Sequence, residues 1–367
     1  MARKHTPRHA GNVVIIEHVS RVLRNNRLND PHVRKLAVWL PPAYDGSGHR
    51  RFPVLYDFAG FTGSGIAHLN WKPFSENLVE RVARLIHEQK MPPVILVMPD
   101  CYTALGGNQY INSSAIGRYA DYLTREIVPF VDAEFRTLAA REHRGCFGKS
   151  SGGYGALVHG MKYPATWGAI ADHSGDAYFD FLYRSDWPNT LNELAKYRLP
   201  PRRAGVYRSL RPAAEAALAR GHDDGRVQRF LTAIWSKSKV SHAEGLALMN
   251  VCMAATYDPQ SRAPLGFRLP FNAETGELIA ANWQRWLAHD PVHMVRRHAA
   301  ALRSLRGLYI DCGWRDQYQI HYGCRILSRR LSAAGIPHRY EEFDDDHSDI
   351  DYRMDLSLPF LARALRA

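Results

Sequence analysis

Near its middle the chain contains the hexapeptide Gly148-Lys149-Ser150-Ser151-Gly152-Gly153. A short apolar run, Arg144–Phe147, precedes it, and a run typical of a helix, Tyr154–Met161, follows it. Together these segments predict a strand, a tight turn and a helix, with the pattern G-x-S-x-G centred on Ser150. This pattern is typical of a nucleophile elbow, in which a sharp turn exposes a serine hydroxyl above the end of a sheet.

The glycines of this turn have a physical role, because a residue without a Cβ lets strand and helix approach closely. The helix that follows would point backbone N–H groups and a partial positive charge at the serine, which suits an oxyanion. The alternative is a glycine-rich turn in which Ser150 or Ser151 only caps the helix. The strand before the turn and the helix after it favour the nucleophile.

Outward from this turn, apolar and β-branched runs predict seven further strands. They are Val13–Ile16, Arg34–Leu40, Phe52–Phe58, Pro92–Met98, Gly168–Ala171, Leu308–Cys312 and Arg339–Phe343. The predicted helices between and after them are Phe74–His87, Gly117–Phe135, Ile320–Gly335 and Tyr352–Ala367. This alternation indicates an α/β fold with a mostly parallel sheet. About eight strands, the first two antiparallel at an edge, predict an α/β-hydrolase core with helices on both faces.

The alternation stops in the middle of the chain, which predicts three parts. Residues 1–11 read as a flexible basic tail, residues 12–176 and 300–367 as the core, and residues 177–299 as a helical cap without strands. The helices predicted for the cap are Arg211–Arg220, Gly225–Ser236, His242–Ala255 and Glu274–Leu287.

The composition narrows the class of protein. Of 367 residues, 46% are hydrophobic and 23% charged, as in globular proteins with a large core. The net charge is +12, but the arginines form no long basic block, so we do not expect nucleic-acid binding. Five cysteines without a C-x-x-C pair argue against a disulfide framework and a zinc site. Cys101, Cys146 and Cys312 lie in or beside apolar runs and are expected to be buried. No signal peptide and no run of transmembrane length is visible, so we expect a cytoplasmic protein without a membrane span.

A serine nucleophile needs a base, and the base needs an acid that orients it. In α/β-hydrolases the chain order is Ser, then Asp or Glu, then His, each on a loop after a strand. Asp316 follows the strand Leu308–Cys312, and His347 follows the strand Arg339–Phe343. The sequence therefore predicts a catalytic triad of Ser150, Asp316 and His347.

Other residues compete for these roles. Asp316 could instead cap the following helix, and Asp311 is a second candidate acid. His173, which ends the strand after the elbow, is the strongest rival base. His347 itself lies in an acidic turn, and His68 and His321 are weaker rivals.

The remaining predicted site residues lie on loops at the same end of the sheet. The backbone N–H groups of Phe61 and Ser151 are expected to form the oxyanion hole, which leaves the Phe61 side chain free to vary. Trp71, Tyr110, Lys149, Asp176 and Trp314 are candidates for substrate binding, although packing or loop hydrogen bonds would equally explain them. Lys149 would either favour an anionic substrate group or point to solvent.

The chain resembles the putative esterase family of α/β-hydrolases, which includes esterase D, enterochelin esterases, feruloyl esterases and mycolyltransferases. The residues that carry the resemblance lie within 12–175 and 288–362. They are Leu40-Pro-Pro-Ala-Tyr44, Phe52-Pro-Val-Leu-Tyr56, Val97-Met-Pro-Asp100, Tyr122–Phe130, Gly148–Leu157, Ser174-Gly175, Gly313 with Asp316, and His347-Ser348. The resemblance implies that Ser150 is the nucleophile, Asp316 the orienting acid and His347 the base. Two departures are Ala59-Gly60, where many members carry His-Gly, and Lys149 before the nucleophile.

The sequence thus predicts a serine carboxylic-ester hydrolase that forms an acyl-enzyme on a small-molecule ester, without a cofactor or a metal. An acyltransferase with the same triad, or a non-catalytic binding member of the fold, is the alternative. The chain could form a homo-oligomer. The acyl and alcohol specificity stays open, because it depends on how the cap covers the site.

Overall fold

The structure is a computed structural model, in which residues 11–199 and 224–366 are described. Its centre is an eight-stranded sheet, with strands numbered here in chain order. They are β1 Asn12–Val19, β2 Val33–Leu40, β3 Val54–Phe58, β4 Ile95–Pro99, β5 Arg144–Lys149, β6 Ala169–His173, β7 Gly307–Gly313 and β8 Arg339–Phe343. Across the sheet they follow the order β1-β2-β4-β3-β5-β6-β7-β8.

The sheet is antiparallel only at its N-terminal edge. β1 pairs antiparallel with β2, and β2 pairs antiparallel with β4. From β4 to β8 every neighbouring pair is parallel. The predicted eight strands and antiparallel edge are confirmed. The residues of β3, β4, β6 and β7 are all buried, as expected for parallel strands covered on both faces.

Helices cover the two faces of this sheet. They are α1 Leu78–His87, α2 (a continuous run of Tyr119–Asp121, the π-helical Tyr122–Ile127 and Val128–Glu134), α3 Ser151–Lys162, α4 Phe179–Leu182, α5 Trp187–Ala195, α6 Arg226–Trp235, α7 His242–Tyr257, α8 Ala280–Leu287, α9 Pro291–Met294, α10 Ala299–Arg303, α11 Ile320–Ala333 and α12 Met354–Ala364. Short 3₁₀ turns lie at Asp45–Ser47, Gly65–Leu69, Arg141–His143, Arg184–Asp186 and Ile350–Arg353.

Successive residues of the central strands enter two separate hydrophobic cores. Ile170 and Leu308 belong to the larger core, whereas their neighbours Ala171 and Tyr309 belong to the smaller one on the opposite face. This division follows from the alternation of side chains along a strand. A layered α/β arrangement therefore places the ends of the parallel strands at one edge, where the loops that carry the predicted site residues meet.

Several predicted helices begin later than the sequence indicated, and for three of them the structure shows the reason. α1 begins at Leu78, because Asn77 and Glu80 form a capping box. α2 begins at Tyr119, since Gly117–Arg118 pairs with Asn112–Ser113 in a small hairpin that the sequence analysis missed.

The third is α8, which begins at Ala280 and not at Glu274. Phe271 and Leu278 form an isolated bridge just before it, and the Asn272 carbonyl and amide close the turn between them. The segment 274–279 is therefore held in a turn, and a helix cannot start there.

The region 177–299 is helical in its described part, which excludes residues 200–223. Within that part it contains no strand, only the isolated bridges Pro259–Phe267 and Phe271–Leu278. The predicted helix Arg211–Arg220 lies outside the described residues. The division of the chain into core and cap stays a prediction. Across residues 11–199 and 224–366, no helix combines the length and the apolar character that crossing a membrane requires.

Candidate active site

Ser150 occupies the turn between β5 and α3 in a strained conformation. Its φ and ψ are 58° and −126°, which non-glycine residues rarely adopt. Its backbone N–H donates to the His173 carbonyl at 2.9 Å, and its side chain makes no capping hydrogen bond to α3. The capping alternative therefore does not explain Ser150, and its hydroxyl stands free of the helix.

The glycines on either side of Ser150 are required by close approach. A Cβ added to Gly148 would lie 2.3 Å from the Phe58 carbonyl oxygen, and one added to Gly152 only 1.8 Å from it. The end of β3 thus lies directly against the turn and the first turn of α3. This contact brings the loop after β3 next to Ser150.

Asp316 and His347 meet beyond the ends of the neighbouring parallel strands β7 and β8. His347 Nδ1 lies 2.7 Å from Asp316 Oδ2, and both side chains are buried. Asp316 Oδ1 accepts a hydrogen bond from the Tyr318 N–H at 2.8 Å. Asp316 therefore both pairs with His347 and stabilises the turn before α11, so the two alternatives are compatible.

Two neighbours fix the orientation of His347. Its backbone N–H donates to Gln317 Oε1 at 2.9 Å, and its ring packs edge-on against Tyr318 at 4.8 Å between centroids. With Nδ1 turned to Asp316, the opposite nitrogen, Nε2, is the one left to act on a substrate or a nucleophile.

A cavity of about 310 Å³ brings these residues together. Ser150 and His347 line it, together with the predicted residues Phe61, Lys149 and Asp176. Trp71 and Trp314, which are 62% and 48% exposed, lie outside its lining.

The predicted oxyanion donors flank Ser150. A Cβ on Gly60 would lie 3.3 Å from the Lys149 carbonyl oxygen and 3.7 Å from the Ser150 Cβ, so the backbone before Phe61 touches the turn. α3 begins at Ser151 and its first backbone bond runs from Tyr154 N–H to the Ser150 carbonyl, so the Ser151 N–H has no acceptor within the helix.

The loop that carries Phe61 is supported from behind. A Cβ added to Gly106 would lie 2.8 Å from the Phe61 ring, and one added to Gly107 would lie 3.0 Å from it. The ring therefore packs against these two glycines. It thus has close neighbours, and the expectation that this side chain is free to vary stays a prediction. Tyr110 is buried outside the cavity lining; its ring stacks on Phe58 at 4.5 Å, and its hydroxyl donates to the Ala59 carbonyl at 2.5 Å.

Lys149 points to a second group of charges beside the turn. Its Nζ lies 3.3 Å from Asp351 Oδ1, and Asp351 Oδ2 also pairs with Lys72. Burial alone would raise the pKa of Asp351, but the two ammonium groups outweigh it and hold this pKa well below its usual range. Because Asp351 follows His347 by four residues, this ion pair ties the loop of His347 to the residue before Ser150.

His68 forms part of the same group. Its imidazole donates to the buried Asp57 carboxylate. Burial would lower the pKa of His68, but the Asp57 carboxylate more than offsets this and raises it above its usual value. His68 is therefore committed to Asp57 and does not line the cavity.

The strongest rivals for the catalytic roles pair with each other. His173 Nδ1 lies 2.6 Å from Asp311 Oδ1, and His173 Nε2 lies 2.7 Å from the Ser357 hydroxyl. All three side chains are buried and none lines the cavity. Arg353 adds a further ion pair to Asp311 at 3.0 Å. This second Ser-His-Asp chain is a structural network within the core.

The residues that α7 contributes to the cavity were not predicted from the sequence. His242, Gly245, Leu246 and Met249 line the cavity and recur at intervals of three and four residues, so they share one face of the helix. No sequence motif indicates that this helix lies over the cavity.

Cys101, Cys146 and Cys312 are buried, as predicted, and Cys252 and Cys324 are buried as well. All five are free thiols. Within the described ranges, no cluster of three or more His, Cys, Asp or Glu side chains is arranged to hold a metal ion.

Comparison with known structures supports the fold. A ferulic acid esterase superposes with a TM-score of 0.57 at 17% identity, covering 96% of this chain and 98% of that one. An S-formylglutathione hydrolase from Agrobacterium tumefaciens gives a TM-score of 0.55 at 16% identity, covering 98% and 97%. At these identities the similarity concerns the fold, and it confirms the predicted α/β-hydrolase architecture.

Comparison by sequence gives the family. An esterase of Mycobacterium tuberculosis is 32% identical over 160 residues, which is 41% of this chain and 32% of that protein. The chain thus spans about a third of the length of the mycobacterial esterases it matches. A Bacillus subtilis protein without a described activity is 22% identical over 167 residues, 40% of this chain and 58% of that one. Residues 29–360 match the profile of the family described as putative esterases. With most of its length matched and the expected fold, the chain belongs to the putative esterase family.

Proposed function

We propose that the chain is a serine carboxylic-ester hydrolase whose nucleophile is Ser150. The observation that carries this proposal is the cavity shared by Ser150 and His347, with Asp316 bound to the far side of the imidazole at 2.7 Å. Membership of an esterase family supports the same reaction class.

The reaction follows from this arrangement. The carboxylate of Asp316 holds the Nδ1 proton of His347, so that Nε2 is free to accept the proton of the Ser150 hydroxyl. The serine oxygen attacks the ester carbonyl. The negative charge that develops on the carbonyl oxygen is stabilised by the N–H groups of Phe61 and Ser151.

Collapse of this intermediate releases the alcohol, which takes its proton from His347. The acyl group stays bound to Ser150 as an ester. His347 then removes a proton from a water molecule that attacks the acyl-enzyme, and the carboxylic acid leaves. The buried position of His347 and Asp316 keeps competing water away from their hydrogen bond.

The walls of the cavity favour a medium-sized, mainly apolar group near the reacting carbonyl. Leu182, Leu246, Met249 and Ile320 provide this apolar surface. A cavity of about 310 Å³ is at the small end of the range for small-molecule sites.

The test is hydrolysis of p-nitrophenyl esters of increasing acyl length by wild type, Ser150→Ala, His347→Gln and His173→Gln. We expect Ser150→Ala and His347→Gln to lose at least about 10³-fold in kcat. His173→Gln should retain activity wherever it folds. A Ser304→Ala variant, which changes an exposed serine, controls for the loss of a hydroxyl.

Full activity in Ser150→Ala would refute the proposal. Labelling of wild type by a fluorophosphonate, absent in Ser150→Ala, would establish the covalent step independently. Product analysis in the presence of an added alcohol separates hydrolysis from acyl transfer, because a transferase would form the new ester in place of the acid.

A further inference from the structure

Asp176 is a buried carboxyl group in the wall of the cavity. It lies three residues beyond the end of β6 and is only 4% exposed. Because it lines the same cavity as Ser150 and His347, the small part of its surface that stays accessible faces that cavity.

Among the described residues, hydrogen-bond donors reach one of its two oxygens. Asp176 Oδ2 accepts hydrogen bonds from Gln109 Nε2 at 2.5 Å and from the Tyr183 hydroxyl at 2.6 Å. The Gln109 amide also donates to the Tyr257 hydroxyl at 3.1 Å, which fixes the amide in place. No donor among the described residues reaches Oδ1. The carboxyl group is therefore oriented by its network and offers one acceptor to the cavity.

The backbone around this network is strained. Ser174 and Tyr178, on either side of Asp176, have φ values of 47° and 60°, and Gln109 has a φ of 55°. Non-glycine residues in this region cost free energy and concentrate at functional sites, where the strain holds a group in position. Three such residues around one carboxyl group indicate that its position is maintained at a cost in folding free energy.

The surroundings make this acceptor matter once a ligand is bound. Leu182 and Met249 present apolar surface to the same cavity, and a ligand that fills it leaves a polar oxygen unpaired unless the ligand carries a donor. The lysine of the cavity does not satisfy it, because Lys149 pairs with Asp351. A ligand that displaces water from Oδ1 therefore has to supply the donor itself.

We propose that Asp176 Oδ1 accepts a hydrogen bond from a hydroxyl or amino group of the substrate, so that the enzyme prefers esters that carry such a donor a short distance from the reacting carbonyl. This inference rests on the function proposed above. A site built to receive a donor discriminates strongly against analogues that lack it, because its own polar group is then left unpaired.

The experiment compares pairs of esters that differ only by a hydroxyl in place of a methyl group. Methyl 3-(3-hydroxyphenyl)propanoate and its 4-hydroxy isomer probe the acyl side, and the corresponding 2-(hydroxyphenyl)ethyl acetates probe the alcohol side. For at least one ring position we expect kcat/KM of the hydroxyl compound to exceed that of its methyl counterpart by about tenfold or more in wild type.

The Asp176→Asn variant should abolish this preference. Gln109 and Tyr183 both donate, so they will bind the oxygen of the asparagine amide, and its NH₂ group will take the place of Oδ1. The acceptor becomes a donor, and the hydroxyl-to-methyl ratio should fall to about one or below. Asp180→Asn is the matched control: Asp180 lies on the same segment, is paired with Arg184 at 2.9 Å, and should keep the wild-type ratio.

Tyr183→Phe gives a second test in case Asp176→Asn does not fold. It removes one of the two donors to Oδ2 and should lower the ratio several-fold. Ratios near one for every pair in wild type, or an unchanged ratio in Asp176→Asn, would overturn the inference while Ser150-dependent hydrolysis stands. Hydrolysis that survives Ser150→Ala would instead refute the proposed function itself.

Discussion

Gly152→Ala is the substitution by which the geometry of the proposed oxyanion hole can be tested most directly. The added Cβ would lie 1.8 Å from the Phe58 carbonyl oxygen, and Cβ contacts shorter than 3.0 Å essentially do not occur. The end of β3 and the first turn of α3 must therefore separate by at least about 1.2 Å, the difference between these two distances. Phe58 leads into the loop of Phe61, and Gly152 follows Ser151, so the two proposed donors move apart.

We expect Gly152→Ala to lower kcat by about 100-fold, since a misplacement of about 1 Å has this effect on catalytic groups. KM should change little, because the cavity walls contributed by α7 do not move. The free energy of unfolding should fall by about 1–3 kcal/mol, the usual cost of overpacking. The measurements are steady-state kinetics on p-nitrophenyl butyrate and urea denaturation.

Gly46→Ala is the matched control, because a Cβ at Gly46 meets nothing within 4 Å. It should leave both kcat and stability close to wild type. If Gly152→Ala kept kcat within about threefold of wild type, the contact between β3 and α3 would not control the oxyanion donors, and the reasoning would fail.

Three further predictions concern stability, positioning and size. Burial raises the pKa of Asp172 to about 8, so the folded chain keeps a proton that the unfolded chain loses near pH 4. The free energy of unfolding should therefore fall as pH rises from about 5 to 8, and urea titrations of Asp172→Asn should lack this slope. An identical slope in the variant would count against the assignment. Asp351→Asn removes the ion pair between Lys149 and the loop of His347, so kcat should fall about tenfold while KM stays unchanged. Adding Lys149→Met to this variant should cause little further loss of kcat. Fully additive losses would show that the two residues act separately. Met249→Trp fills part of the cavity of about 310 Å³, so the acyl length with the highest kcat/KM in a series of p-nitrophenyl esters should become shorter. An unchanged optimal length would show that the acyl group binds outside this cavity.

Much of the fold could be predicted because its determinants are local. Continuous apolar runs mark strands that are buried on both faces, and the glycines around Ser150 mark a turn in which strand and helix touch. Since parallel strands end at one edge, the loops after β5, β7 and β8 had to bring Ser150, Asp316 and His347 to the same side of the sheet. The sequence therefore predicted the fold and a candidate triad without knowledge of any distance.

The choice among similar residues depended on contacts between distant parts of the chain. Chain order favoured His347 over His173, but only the packing shows that His173 bonds with Asp311, 138 residues away, inside the core. Likewise, no local motif indicates that one face of α7 lines the cavity. The orientation of the Asp176 carboxyl group depends on a hydrogen bond from Gln109, which lies 67 residues earlier in the chain. Local patterns determine where strands and turns form, because backbone geometry repeats over a few residues, whereas the hydrogen bonds that select one histidine or one carboxyl group form only after the layers have packed.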